Sequence, residues 1–237
     1  QDKLRQLKRL YAIDVTVVNG ENSAQGNGIS PKSADFLLNA GADVVTTGNH
    51  AFHRRESAEV FASEYIIRPA NYPVGGAPGN GVCVLDMGSW SVAVVNLMGT
   101  VYMDPLDNPF TVIDELLPAI ETPNIFVDFH GEATSEKKAM GHYLTGRVSG
   151  VFGTHTHVQT ADEIILGGHT AYITDAGMTG PELSCLGVDI TPVVERFRFR
   201  TPVRFTEAES DCFMCAVCVQ FDEKSGKSYK IERLIIR

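Results

Sequence analysis

A chain of 237 residues with 43% apolar and 21% charged side chains has an ordinary globular composition, enough for one large domain or two small ones. Its formal net charge of −9 argues against long nucleic acid or an anionic membrane as a surface partner, since either would need a basic face. A small anionic substrate drawn in by metal ions stays compatible.

No apolar run approaches the ~20 residues of a bilayer span, and no signal-peptide pattern opens the chain. Five cysteines make an odd count without disulfide-framework spacing, which suits a reducing compartment, the cytoplasm.

Leu4, Leu7 and Leu10 recur at helical spacing among basic residues and predict an amphipathic helix. The β-branched run Ile13 to Val18 predicts a buried strand ending in Asn19-Gly20-Glu21-Asn22. Ser30-Pro31 supplies an N-cap and a first-turn proline for a helix that stops at Gly41. A second strand, Asp43 to Thr47, runs into Gly48-Asn49-His50. Arg54 to Ala62 reads as a helix, Tyr65 to Ile67 as a short strand, and the Gly- and Pro-rich stretch Pro69 to Gly81 as loop.

Val82 to Met87 and Ser91 to Leu97 flank the tight turn Gly88-Ser89 and predict an antiparallel hairpin. After a polar loop, Val112 to Ile120 reads as a helix, Pro123 to Phe129 as a buried strand ending in His130, and Thr134 or Ser135 to Leu144 as a helix. Arg147 to Phe152 is a further strand, followed by Gly153-Thr154-His155-Thr156-His157. In an extended backbone alternate side chains share a face, which sets His155 and His157 side by side roughly 6–7 Å apart. Glu163 to Leu166 and Ala171 to Thr174 predict another hairpin, Pro192 to Phe199 a short helix, and Val203 to Glu207, Cys212 to Phe221 and Tyr229 to Ile236 strands. Cys212, Cys215 and Cys218 have C-x-x-C-x-x-C spacing, but a strand turns Cys215 to the opposite face and no fourth ligand follows, so they read as small buried apolar residues.

Helix–strand alternation in front and hairpins behind predict one α/β domain over residues 1–237, with two packed sheets under outer helices. Sheets of this kind gather ligands outside the carboxyl ends of their strands. The strand ends here deliver Glu21 and Asn22, Asn49 and His50, His130, and His155 with His157. Carboxylate, amide and imidazole without thiolate suit Mn, Fe, Zn or Mg, and a lone carboxylate in the set suggests that Glu21 bridges two ions.

Asn-Gly-Glu-Asn, Gly-Asn-His, Asp-Phe-His-Gly-Glu-Ala-Thr-Ser-Glu-Lys, Gly-Thr-His-Thr-His-Val-Gln-Thr and Ile-Thr-Asp-Ala-Gly-Met-Thr-Gly-Pro together closely resemble the YmdB-like family of calcineurin-like metallophosphoesterases. The resemblance runs from Leu4 to Arg237. It implies a four-layer α/β/β/α sandwich, two divalent metal ions, and a phosphodiesterase that acts on small phosphodiesters of the 2′,3′-cyclic nucleotide class, with a metal-bridging hydroxide attacking phosphorus. Carried over, Glu21 bridges the ions, Asn22 and His157 serve one, Asn49, His130 and His155 serve the other, and His50 is the acid that protonates the leaving oxygen.

The family's first strand carries a Gly-Asp whose aspartate binds the first metal, and this sequence opens in the helix after it. The expectation is a chain without its natural N-terminus. A variant with a weakened first site, acting as a non-catalytic or weakly active metal-binding regulatory protein, is the alternative. A metal-dependent amidohydrolase would place its His-x-His on the first barrel strand rather than late in the chain. A homo-oligomer is compatible with the sequence.

His53, His142 and His169 read as surface or structural residues. Glu132, Thr134, Ser135 and Lys137 follow a ligand strand and could order it, touch phosphate or cap the helix; Asp175 could hold a ligand imidazole or close an Asx turn.

Overall fold

The computed structural model describes residues 2–73 and 75–237, so Val74 of the expected Pro69 to Gly81 loop lies outside the described residues. In chain order the elements are α1 (Asp2–Leu10), β1 (Val17–Asn19), α2 (Pro31–Ala40), β2 (Val44–Thr46), α3 (Ser57–Val60), β3 (Val82–Asp86), β4 (Ser91–Met98), α4 (Pro109–Leu116), β5 (Ile125–His130), α5 (Thr134–Tyr143), β6 (Gly150–Thr154), β7 (Ile164–Leu166), β8 (Thr170–Ile173), β9 (Thr179–Pro181), α6 (Ile190–Phe199), β10 (Cys212–Phe221) and β11 (Ser228–Ile236). No helix among the described residues is long and apolar enough to cross a membrane.

A six-stranded sheet runs in the order β3-β4-β5-β6-β8-β7. Its middle strands β4, β5, β6 and β8 are parallel, and the hairpins β3–β4 and β7–β8 close its two edges antiparallel. Strand alternation sorts the two faces. Ala93, Val95 and Leu97 of β4, with Ile125, Val127 and Phe129 of β5, pack with Ile113 of α4 and with Met140 and Leu144 around α5. The even-numbered residues of the same strands, Val94, Asn96, Asp128 and His130, therefore look the other way, toward a second sheet layer.

That second layer includes the parallel pair β1–β2. Val44 of β2 meets Cys83 and Val94, while its neighbour Val45 packs with Ala34, Leu37 and Leu38 of α2. The antiparallel sheet β11-β10-β9 joins the large sheet through Phe221, whose ring lies 5.2 Å from that of Phe126 and 5.7 Å from that of Trp90. Helix, sheet, sheet and helix thus stack as the expected α/β/β/α sandwich.

Local chemistry explains the elements that match expectation. Ser30 caps α2 in a reciprocal box with Ser33, Pro31 starts the helix, and Gly41 ends it at φ 115°, a backbone state that glycine adopts without a Cβ penalty. Several spans differ. β1 begins at Val17 rather than Ile13 and is half-buried, because Ala12 turns the chain at φ 49° after α1. Only Ser57–Val60 of the expected Arg54 to Ala62 helix is α-helical, and Tyr65 to Ile67 contributes a single bridge, Ile66 to Val45.

Val203 to Glu207 forms no strand; Glu207 makes one bridge to Val188. The three spaced cysteines do lie on β10, the middle strand of the three-stranded sheet, but Cys212 is exposed and Cys215 and Cys218 are half-buried rather than buried.

Candidate metal centre

β1, β2, β5 and β6 end at the same edge of the stacked sheets. The segments that follow them bring polar side chains into one crevice. Parity sends His130 toward the second sheet, where Glu21, from the turn after β1, meets it: Glu21 Oε2 lies 2.8 Å from His130 Nε2, with both residues buried. Asn49 Oδ1 stands 2.9 Å from the same nitrogen and His155 Nδ1 3.1 Å. Among the described residues, Glu21, His130 and His155 have ligand atoms that all lie within 4.8 Å of one another.

A second group sits beside the first. The Asn22 amide faces His157 Nε2 at 3.2 Å, and Asn22 Oδ1 lies 2.9 Å from His50 Nδ1. Glu21 joins the groups, because its other oxygen accepts the His50 backbone N–H at 2.6 Å. All seven side chains singled out from the sequence therefore stand in one place. The reason given for His155 and His157 does not hold, however. Both lie beyond β6 with positive φ, 103° and 64°, so a turn rather than strand alternation presents them.

The donor set fits a divalent cation. His130 Nε2 faces a carboxylate oxygen, an amide oxygen and a ring nitrogen at once, and one proton cannot satisfy three acceptors. His157 Nδ1 is buried with no hydrogen-bond partner. Oxygen and imidazole donors at this spacing suit Zn, Mn, Fe or Mg.

Electrostatics agree. Burial alone would raise the Glu21 pKa, but the charge and hydrogen bond of His130, with the backbone N–H and charge of His50, hold it at about 2. Burial lowers the pKa of His50 against the opposing pull of Glu21, and His53, His130 and His157 lower it further. Burial and His130 likewise depress His155. At neutral pH the site offers one carboxylate and neutral His50 and His155 rings.

Residues that sequence reasoning missed lie under these side chains. Asp128 is fully buried and accepts from Thr46 Oγ1 at 2.5 Å, Thr154 Oγ1 at 2.6 Å and Asn19 Nδ2 at 3.2 Å; burial raises its pKa against these contacts and the charge of His130. An acid in the middle of an otherwise apolar strand was the signal available, because a buried carboxylate requires donors. Gly48 gives the space for His130, since a Cβ there would come within 2.3 Å of Nε2.

Other expectations change. Glu132 Oε2 lies 3.1 Å from His155 Nε2. Lys137 does not reach the crevice, as its ammonium is buried against Asp175 at 2.7 Å. α5 starts after Ala133 with no side-chain cap from Thr134 or Ser135. Asp175 binds no imidazole; it accepts from Thr156 and closes an Asx turn to Gly177 N at 2.9 Å. His53 contacts Asn27 Oδ1 at 3.0 Å and stacks on His50 at 4.4 Å. His142 is exposed on α5, and His169 sits in the β7–β8 turn.

A stacked pair of sheets that collects carboxylate, amide and imidazole at its strand ends defines a calcineurin-like metallophosphoesterase. Residues 1–234 match the family described as YmdB-like protein. The chain is 46% identical over 234 residues to the 2′,3′-cyclic-nucleotide 2′-phosphodiesterase of Bacillus subtilis (strain 168), covering 98% of this chain and 88% of that protein. Two crystal structures superpose closely. A hypothetical protein from Thermus thermophilus gives a TM-score of 0.92 at 39% identity, over 98% of this chain and 90% of that one. A novel phosphatase from Mycoplasma pneumoniae gives 0.94 at 35% identity, over 99% and 86%. The chain belongs to the YmdB-like family and is a phosphoester hydrolase.

Proposed function

We propose that this protein is a metal-dependent phosphodiesterase, one domain over residues 1–237, that hydrolyses small phosphodiesters of the 2′,3′-cyclic nucleotide class. The observation that carries the reading is the convergence of Glu21, Asn49, His130 and His155 on one point with His50 beside it. The Bacillus subtilis relative bears that activity in its name, which supports the substrate class.

Glu21, with Asn49, His130 and His155, would hold one divalent ion and, with Asn22 and His157, a second. Divalent ions in such a site lower the pKa of a bound water and neutralise phosphate oxygens during in-line displacement. The protein's own groups do the rest. His50 Nδ1 donates to Asn22 Oδ1 at 2.9 Å, which leaves Nε2 to take up a second proton and deliver it. The ring is neutral at rest; when it takes up that proton, burial makes it a readier acid than free imidazolium, while Glu21 favours the charged form. Hydrolysis forms the bond from the water oxygen to phosphorus and breaks the P–O2′ bond; O2′ takes the proton from His50 Nε2, the proton the water gives up passes to solvent, His50 is reprotonated from solvent, and a 3′-monophosphate remains.

The test is hydrolysis of 2′,3′-cyclic AMP with added manganese, with a chelated control and the variants His50→Ala and His130→Ala. Metal-dependent turnover to the 3′-monophosphate is expected. His50→Ala should lose turnover while binding metal normally, and His130→Ala should lose the metal. A protein that binds manganese but cleaves no phosphoester would instead be the non-catalytic regulator; equal metal loss in both variants would end the proposed division of roles.

A further inference from the structure

The two histidines after β6 occupy backbone states that L-residues seldom adopt, with φ 103° at His155 and 64° at His157. Such states persist only where the surroundings over-determine them. What determines them here is Thr156, the residue between. Its backbone N–H donates to Asp175 Oδ2 at 3.0 Å and its hydroxyl to the same oxygen at 2.8 Å.

Asp175 is itself engaged through both carboxylate oxygens and its backbone N–H. Oδ2 also accepts from Lys137 Nζ at 2.7 Å, with the two side chains 2% and 1% exposed. Oδ1 accepts from Gly177 N at 2.9 Å, and the Asp175 N–H donates to Thr160 Oγ1 at 2.9 Å. The next residue, Ala176, donates its N–H to Gly153 O at 2.8 Å, tying the Asp175 segment to β6. Lys137 reaches this place from α5 by passing over Gly153, where a Cβ would stand 3.2 Å from Lys137 Cε. A buried ammonium cannot leave its carboxylate without exposing an unpaired charge to the interior, so the pair is fixed by its burial.

We propose that Asp175 and Lys137 are positioning residues: they lock the His155-Thr156-His157 turn through Thr156 and so set the metal affinity of the site. The inference rests on the metal-dependent reading above. Neither residue touches the metal-ligand atoms, and the ion pair lies beneath the turn rather than in the crevice. A pair that served only the fold would lower stability and leave metal affinity alone.

Calorimetric titration of Mn²⁺ into the purified proteins separates these roles. Lys137→Met/Asp175→Asn removes both charges together and keeps an amide oxygen for the Thr156 N–H. It should fold, by circular dichroism, and bind Mn²⁺ about 10–100-fold more weakly, the loss that removal of a ligand's supporting contact brings. Thr156→Val should also weaken binding, whereas Thr156→Ser, which keeps the hydroxyl, should stay within about twofold of the parent protein. If the double variant fails to fold, the valine–serine contrast decides.

His130→Ala tests the metal reading itself and should abolish binding. Parent-like affinity in the double variant and in Thr156→Val, beside loss in His130→Ala, would overturn the positioning role and leave the metal centre standing. A parent protein that binds no Mn²⁺ would overturn both.

Discussion

Thr154 Oγ1 stands 3.0 Å from His130 Nδ1, and its own proton is committed to Asp128 Oδ1 at 2.6 Å. A hydroxyl has one hydrogen, so the imidazole must be the donor in the first of these contacts. In neutral His130 the proton is thereby placed on Nδ1, which leaves the Nε2 lone pair for a cation, whereas the hydrogen bond to Glu21 belongs to the protonated ring. A ligand imidazole is most useful to a cation in this tautomer. Thr154→Val should let the ring rotate and should weaken Mn²⁺ binding by about 10–100-fold. It also leaves Asp128 short of one donor, at about 1–3 kcal/mol of stability. Nitrogen-15 spectra of the imidazole would report a mixture of tautomers in place of one, and an unchanged spectrum would show that Thr154 does not set the proton.

Gly48 separates β2 from Asn49 and has the face of His130 against its α-carbon. An added Cβ would lie within 2.3–2.5 Å of three ring atoms, well inside contact distance, so the ring or the chain must shift. Gly48→Ala should lose about 1–3 kcal/mol through overpacking and lose metal affinity with it. Because His130 is held on its far side by Thr154, the ring has little room to yield. Urea denaturation and metal titration of the variant would check both; a variant with parent-like values in each would show that the loop moves instead.

How much of this was legible from residues alone follows from the range of each interaction. The limits of α2 are written in Ser30, Pro31 and Gly41, whose effects are local. The hairpins are equally local. Convergence of Glu21, Asn49, His130 and His155 was readable too, since strand direction fixes where strand ends go. Hidden were the contacts beneath them. Thr46 reaches Asp128 across 82 positions and Asn19 across 109, and no periodicity encodes a pairing between layers. The turn at His155 and His157 was misread because His-Thr-His continues a strand pattern, while the bonds that bend it come from Asp175, far along the chain. β-branched composition over Ile13 to Val18 likewise overstated β1, whose start depends on the turn at Ala12.

Glu136 ties the end of β4 to α5. Its Oε1 accepts from Thr100 N at 2.9 Å and Thr100 Oγ1 at 3.3 Å, and its Oε2 from Val101 N at 3.3 Å. The segment so held begins at Gly99, whose N–H donates to the His130 carbonyl at 2.8 Å. Glu136→Ala strands these donors beside the metal centre. The expected loss is about 1–3 kcal/mol in urea denaturation, together with faster amide exchange at Thr100 and Val101. Protection equal to the parent protein at both amides would mean that another group holds the segment.

Asp162 gives the protein an acid-sensitive brace near Asp175. Its carboxylate accepts from Thr174 N at 3.1 Å, Thr174 Oγ1 at 2.5 Å and Lys138 Nζ at 3.1 Å. Burial works against ionisation, but these bonds outweigh it and bring the pKa from 3.8 down to about 2. A carboxyl whose folded pKa is depressed contributes stability above its unfolded value and loses it as pH falls through the folded one. The window here runs from about pH 4 down to about pH 2. With the side chain 29% exposed, solvent screening brings the contribution to about 1–2 kcal/mol. Asp162→Asn should therefore be less stable than the parent by that amount at pH 7, and the two curves of stability against pH should converge as pH falls from 4 to 2. Parallel curves over that interval would show that Asp162 titrates alike in the folded and unfolded chains.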